Sequence, residues 1–164
     1  MRPVVLSSLL LILPAAVQAQ TTRPIEVVVV QGSGQSSGEQ EPEATEELTP
    51  WLPQLAKLDL LRFELLGRSE KSPAAGVAVQ HELPAEHRLE ASWAEGEAGK
   101  LRLTLKVTRP DPGAAPGKPE RELVVETEVE LDPGQPCLLR CVNALPRGDL
   151  ILLVSAGKKE PRPR

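Results

Sequence analysis

Aromatic side chains are almost missing from this chain, which has Trp51, Trp93, Phe63 and no tyrosine. That excludes a ring-lined platform for sugars or bases and leaves leucine and valine to build the core. A basic surplus is missing too. The formal charge is −4, whereas nucleic-acid binding needs clustered cations to replace phosphate counterions. No Gly-x-Ser-x-Gly elbow occurs, and Gly134 and Gly148 are isolated turn glycines rather than a phosphate cradle. The serines of Gly32-Ser33-Gly34 and Ser36-Ser37-Gly38 lie in a Gly/Ser/Glu-rich stretch that offers no scaffold to orient a base.

Long hydrophobic runs are also absent. The first, Val4 to Leu13, is interrupted by Ser7 and Ser8 and is well short of the roughly 20 residues that span a bilayer. It follows Arg2 and precedes Pro14 and the short residues Val17-Gln18-Ala19. This is the layout of a cleavable secretory signal peptide over 1–19, with cleavage after Ala19. A retained anchor is disfavoured by the length of the run, and no cysteine follows it for lipid attachment. The expected location is periplasmic or extracellular, without stable membrane insertion. Loss of Arg2 leaves 18 bases against 23 acids, a charge of −5.

What is present is mostly β-pattern. Ile25 to Val30 is a β-branched apolar run and reads as a strand within an N-terminal arm, 20–31. Residues 32–48, with Glu39, Glu41, Glu43, Glu46 and Glu47 and no base, read as a flexible acidic spacer. The strand either crosses back into the main sheet or stands apart as an adhesive arm. The first is favoured, because exposed consecutive valines invite edge pairing. Thr49-Pro50 reads as a helix N-cap with proline at the first helical position, and Leu52, Leu55 and Leu58 share one face of a short helix.

From Asp59 the period becomes two. Leu61, Phe63 and Leu65 alternate with polar or peripheral residues, as do Val77, Val79, His81 and Leu83, then Leu89, Ala91 and Trp93. The same holds for Leu101 to Val107 and for Leu123 to Leu131, and two shorter strands follow at Cys137 to Val142 and Leu150 to Ser155. About eight strands separated by turn signals, each with one apolar face, point to an all-β fold. That fold is an antiparallel sandwich or open barrel occupying 49–157, with one short N-terminal helix. Charge suggests one register. Leu105 is expected opposite Leu123 and Leu103 opposite Val125, so that Lys106 meets Glu122, Arg102 meets Glu126 and Lys100 meets Glu128. Sliding by two residues either way sets a base against Val124.

Three groups invite chemical readings. Cys137 and Cys141 are spaced Cys-x-x-x-Cys, and in an extended strand their α-carbons lie about 13 Å apart, too far for a bridge. A disulfide there needs a bulge or turn; otherwise the two are small apolar side chains on one face. His81 and His87 lie in HELPAEH, two residues longer than the zinc-protease His-Glu-x-x-His, and Pro84 forbids the continuous helix that motif needs. A hairpin turning at Leu83 to Glu86 sets His81 opposite His87, where Glu82 or Glu86 could complete a weak metal site. A half-buried and an exposed turn histidine is the simpler reading. The acids along Glu122 to Glu130 mark a solvated face rather than a catalytic dyad. The tail over 158–164, with Lys158, Lys159, Arg162 and Arg164, reads as a disordered basic end that could touch an acidic surface.

The stretch VVETEVELDPGQPCLL, followed by GDLILLVSA, resembles the closing strands of the C-terminal β-domain of bacterial outer-membrane secretins. The matching pieces are Val124 to Leu131, Asp132-Pro133-Gly134, Cys137 to Val142 and Leu150 to Val154. The paired glycines that secretins carry after the apolar strand are absent, with Arg140-Cys141 near that place. The resemblance implies a bacterial envelope context and does not carry over a pore. The general layout is also similar to small exported bacterial β-proteins. The functional expectation is a non-catalytic binding or assembly module that engages an envelope protein by sheet-edge strand addition, with no cofactor. A metal-binding protein or hydrolase using His81 and His87, and a secretion-system accessory, are the alternatives.

Overall fold

Two runs, Ile25 to Val30 and Leu150 to Val154, are apolar at every position but one or none. A strand with a wet face cannot tolerate that; a strand covered on both faces requires it. The computed structural model describes residues 21–36, 41–113 and 120–157 and places both runs at the centre of a sheet. The proposed leader, residues 37–40 and 114–119, and the tail lie outside the described residues.

Nine strands occur among the described residues: β1 (Ile25–Gln35), β2 (Glu43–Ala44), β3 (Leu60–Lys71), β4 (Val79–Glu82), β5 (Arg88–Glu95), β6 (Leu101–Pro110), β7 (Arg121–Leu131), β8 (Pro136–Leu145) and β9 (Gly148–Ala156). They form a five-stranded sheet in the order β2-β3-β1-β9-β8 and a four-stranded sheet in the order β4-β5-β6-β7. Every pairing is antiparallel except the two-residue β2, which runs parallel to β3 at Arg62 and Phe63. The fold is the all-β sandwich expected from the alternation, and it does not close into a barrel.

Ile25, Val27 and Val29 of β1 and Leu150, Leu152 and Val154 of β9 face the four-stranded sheet, meeting Leu89, Ala91, Trp93, Leu101, Leu103, Leu105 and Val107. On the opposite face Val28, Val30, Ile151 and Leu153 join Phe63, Leu60, Leu48 and Leu55 in a second core. A helical stretch covers this second core: 3₁₀ turns at Glu46–Trp51 and Ala56–Leu58 flank α1 (Leu52–Leu55). Burying each Val, Leu or Ile of these strands contributes about 1.5–3 kcal/mol before entropy is counted, so the doubly covered strands anchor the fold.

Three expectations need correction. The spacer over 32–48 is largely structured where it is described: Gly32 to Gln35 continue β1, Glu43–Ala44 pair with β3, and the 3₁₀ turn starts at Glu46. Glu41, Glu43, Glu46 and Glu47 are exposed, while Leu48 is fully buried and ties the segment down. Thr49 does not cap the helix. Its hydroxyl donates to the Glu46 carbonyl at 2.6 Å, and Thr45 occupies the N-cap position.

The β6–β7 register is the third. Leu105 faces Thr127 and Leu103 faces Val129, four positions from the expected register. The bases at 102 and 106 and the acids at 122, 126 and 130 recur every four residues, so a four-residue slip still pairs base with acid. Arg102 meets Glu130 and Lys106 meets Glu126. The observed register also covers Leu101 with Leu131 and Val107 with Val125, which the expected one leaves unmatched. A bulge after Val107 then sets Arg109 against Glu122, 2.8 Å apart, and turns Leu123 outward, half exposed.

The β8–β9 turn shows how tightly the central strands are closed. Gly148 has φ of 151°, and a Cβ there would lie 2.1 Å from the Gly32 carbonyl oxygen. Gly148→Ala should lower unfolding stability by about 2–4 kcal/mol in urea titrations; a midpoint unchanged from the parent would show that this close approach can relax freely.

Candidate functional site

The hairpin β4–β5 carries both histidines inward, but not opposite one another. His81 pairs with Leu89 and Glu82 with Arg88, because the turn from Leu83 to His87 closes with the Leu83 amide on the His87 carbonyl. The imidazoles are diagonal neighbours on one face, a spacing of about 7–8 Å between backbone positions. Both residues are buried, at 2% and 4% exposure, so neither is the exposed turn histidine of the simpler reading. His87 Nδ1 donates to the carbonyls of Pro84 and Ala85, 3.1 Å from each, and its Nε2 faces the interior. His81 Nδ1 lies 2.7 Å from Ser69 Oγ on β3. Both Nε2 atoms are buried without a hydrogen-bond partner.

Ser69 was not singled out in the sequence. It sits in an unremarkable Arg-Ser-Glu-Lys run, and only the packing of β3 over β4 brings it to His81. A Ser–His pair is the start of a nucleophilic dyad, but among the described residues no hydrogen bond to a carboxylate orients the His81 ring. The nearby charge is the Lys71 ammonium, which donates to the Gln80 carbonyl. Glu82 and Glu86, the carboxylates considered with the histidines, point away: Glu82 pairs with Arg88 at 2.9 Å, and Glu86 is exposed on the turn. Among the described residues no group of three His, Cys, Asp or Glu side chains is placed to hold a metal ion.

The cysteines lie on β8 opposite Val154 and Leu150 and face the inter-sheet core. Both thiols are free. The disulfide considered from the sequence does not form, since the segment from Cys137 to Cys141 pairs regularly with β9 and the bulge lies beyond it. Burial pushes both thiols up from 9.0, and the Asp149 carboxylate adds to the effect at Cys141. Raised thiols are poor nucleophiles.

Asp149 is the buried carboxylate the sequence reading missed. It is 5% exposed and accepts from Arg140 Nε at 2.7 Å and from the Asn143 amide at 2.8 Å. Arg140 also donates to the Leu58 carbonyl at 3.1 Å. The cluster pins the β8 bulge, where Asn143 has φ of 53°, and ties the helical layer to the sheet. It is structural in geometry.

A concave surface exists elsewhere. It lies at the β2-β3-β1 end of the five-stranded sheet. There the inward positions change from Val27 and Val29 to Gln31 and Ser33 on β1, and from Gly67 and Ser69 to Glu64 and Arg62 on β3. With Glu43, Thr45 and Arg147 they line an open groove of about 440 Å³. Arg62 is paired with Glu43 at 3.0 Å, both exposed. The switch from Val to Gln-Gly-Ser at the end of β1 was the available signal.

Two long strands form the other side of the sandwich. Among the described residues, β7 is paired only with β6 and β8 only with β9. Leu123 on β7 is 50% exposed and Val142 on β8 is 64% exposed. The N-terminal strand is not an adhesive arm, because β3 and β9 pair with both of its edges.

No protein-family profile and no curated protein matches the chain. Among solved structures it is similar to the InvG secretin domain β-barrel from the Salmonella SPI-1 injectisome NC-base, at 10% identity and a TM-score of 0.39. The match covers 90% of this chain and 66% of that one. It is a weak resemblance to the same family that 124–154 resembles in sequence, and at that score it carries no argument about activity or assembly. No helix of the described residues is long and apolar enough to cross a membrane.

Two outcomes test this site description. Burial first, and Lys71 second, hold the His81 imidazole below 6.5. The unfolded chain takes up the proton first, so stability is full above about pH 6.5 and falls as the pH drops through that value, until the folded form is protonated as well. Melting temperatures measured between about pH 7.5 and 5.5 should decline toward acid, and His81→Gln should flatten the decline; an identical slope in that variant would clear His81 as its source. Asp149→Ala leaves Arg140 and the Asn143 amide without their acceptor and should cost about 2–3 kcal/mol, read by denaturant unfolding; a loss within error would show the cluster to be dispensable.

Proposed function

We propose that this chain is a non-catalytic binding or assembly module of the bacterial cell envelope, working outside the cytoplasm and holding its partner by strand addition. The carrying observation is the β7/β8 side of the sandwich, where strands of 11 and 10 residues each leave one edge unpaired among the described residues. Natural sheets cover or shorten such edges unless something pairs with them, and an added strand gains main-chain hydrogen bonds along its length. The half-exposed Leu123 and Val142 supply apolar contacts beside those edges. Export is supported by the Arg2, Val4 to Leu13 and Ala19 pattern.

A second reading has its own observation. Two buried Nε2 atoms without partners, one of them on a ring whose Nδ1 is tied to backbone carbonyls, are how neutral histidines are prepared as metal ligands. Elemental analysis of tag-free protein, with His87→Ala as comparison, decides it: stoichiometric zinc, copper or nickel that the variant loses would replace the first reading.

For the first reading, a photo-crosslinking residue at Leu123 or Val142 should trap one common envelope protein in living cells, and at the exposed Lys57 on the helical layer it should trap none. Equal trapping from all three positions, or none from the two edges, would remove edge binding as the function.

A further inference from the structure

We propose that the β7 edge left unpaired among the described residues is the docking edge, and that its occupant is an extended segment of a partner protein alternating Lys or Arg with aliphatic residues. The inference rests on the edge-binding reading above and adds the strand and the sequence it selects.

The pattern on β7 is regular over its straight half. Glu126, Glu128 and Glu130 are exposed on the outer face, and Val125, Val129 and Leu131 are only partly buried on the inner one. On its paired side β7 meets β6, which alternates leucine and valine with Arg102, Thr104 and Lys106. A strand added to the free side meets the same two faces, so the residues that suit it are of the same kind: aliphatic beside Val125, Val129 and Leu131, basic beside the acids. Opposite charges across adjacent strands stabilise the pairing and like charges oppose it.

Two details sharpen the choice. Glu128 stands opposite Thr104, so no base faces it directly, and its carboxylate shares Arg102 with Glu130 at 3.5 Å and 3.2 Å. The acids on β7 therefore exceed the bases that β6 brings to them, and a base on an added strand meets carboxylate that is not fully compensated. The same row excludes a second copy of this chain, because β7 against β7 would set glutamates beside glutamates. β8 is the poorer edge: it opens at Pro136 and is bent at the Asn143 bulge.

The test uses the purified full chain and a capped peptide alternating lysine and valine, with a peptide alternating glutamate and valine as control. The basic peptide should bind, weaken with added salt, and slow amide exchange along Glu122–Glu130. The acidic peptide should not bind. Glu128→Lys, at an exposed position with no direct cross-strand base, should weaken the basic peptide by about tenfold, and Glu128→Gln by less.

Exchange protection on β8 instead of β7 would overturn this assignment while leaving edge binding in place. Equal binding of the two peptides, or an unchanged affinity in Glu128→Lys, would overturn the charge selection. A dimer of the chain paired through β7 would overturn the choice of occupant. No binding of the basic peptide would overturn the proposal as a whole, and crosslinking from Leu123 and Val142 would then say separately whether edge binding survives.

Discussion

The sandwich depends on β1 lying between β3 and β9 with both of its faces covered. Its valines divide between two cores, Val27 and Val29 toward the four-stranded sheet and Val28 and Val30 toward the helical layer. β9 does the same with Leu152 and Leu153. These strands leave no apolar face for water, so the layers on either side must close over them. The close approach of Gly148 to Gly32, and Gly32's own contact with Leu60 and Ile151, where a Cβ would lie 2.5–2.6 Å from their methyls, show how little space remains at that end. Residues near the chain's beginning and end are thereby made neighbours.

This central pair also decides what is left for function. Beyond Val29 the inward side of β1 and β3 turns polar and lines a groove, while Leu150, opposite Gln31 on β9, stays in the inter-sheet core. On the opposite side, β7 and β8 finish the two sheets without sealing each other, and the chain crosses between them at Asp132 to Gln135. The buried polar groups are mostly tied to architecture. Asp149 holds the β8 bulge and Arg140, and Trp93 donates to the Pro73 carbonyl at 2.9 Å beneath the Arg23 guanidinium. Each histidine keeps one buried nitrogen without a partner, as Arg23 does at Nε and Gln54 at Oε1.

How far the fold could be read varied with the kind of signal. Alternation at Leu89, Ala91 and Trp93 and at Leu101 to Val107 marks inward residues directly, and all seven are buried, because a strand's side chains must take opposite faces. The β6–β7 register could not be read from charge, since bases and acids spaced by four residues are satisfied equally well after a four-residue slip. Matching Leu131 to Leu101 and inserting one extra residue near Val124 resolves it, and both depend on how much core the whole sheet offers. Ser69 and Asp149 were invisible for a related reason: each acquires its role from a strand distant in sequence or from a bulge.

The sequence by itself determined the class of the fold and the absence of familiar catalytic motifs, because face alternation and missing residue types are local properties of a chain. It also marked β1 and β9 as strands by their β-branched and aliphatic runs, broken in β1 only by Glu26. Only the tertiary structure decided that these two become neighbours, that Gly32 to Gln35 and Glu43 to Ala44 are strand, and that both histidines turn inward. It also decided which edges stay unpaired among the described residues. Those outcomes depend on which faces meet, and that is set by the packing of sheets against each other rather than by any one segment's preference.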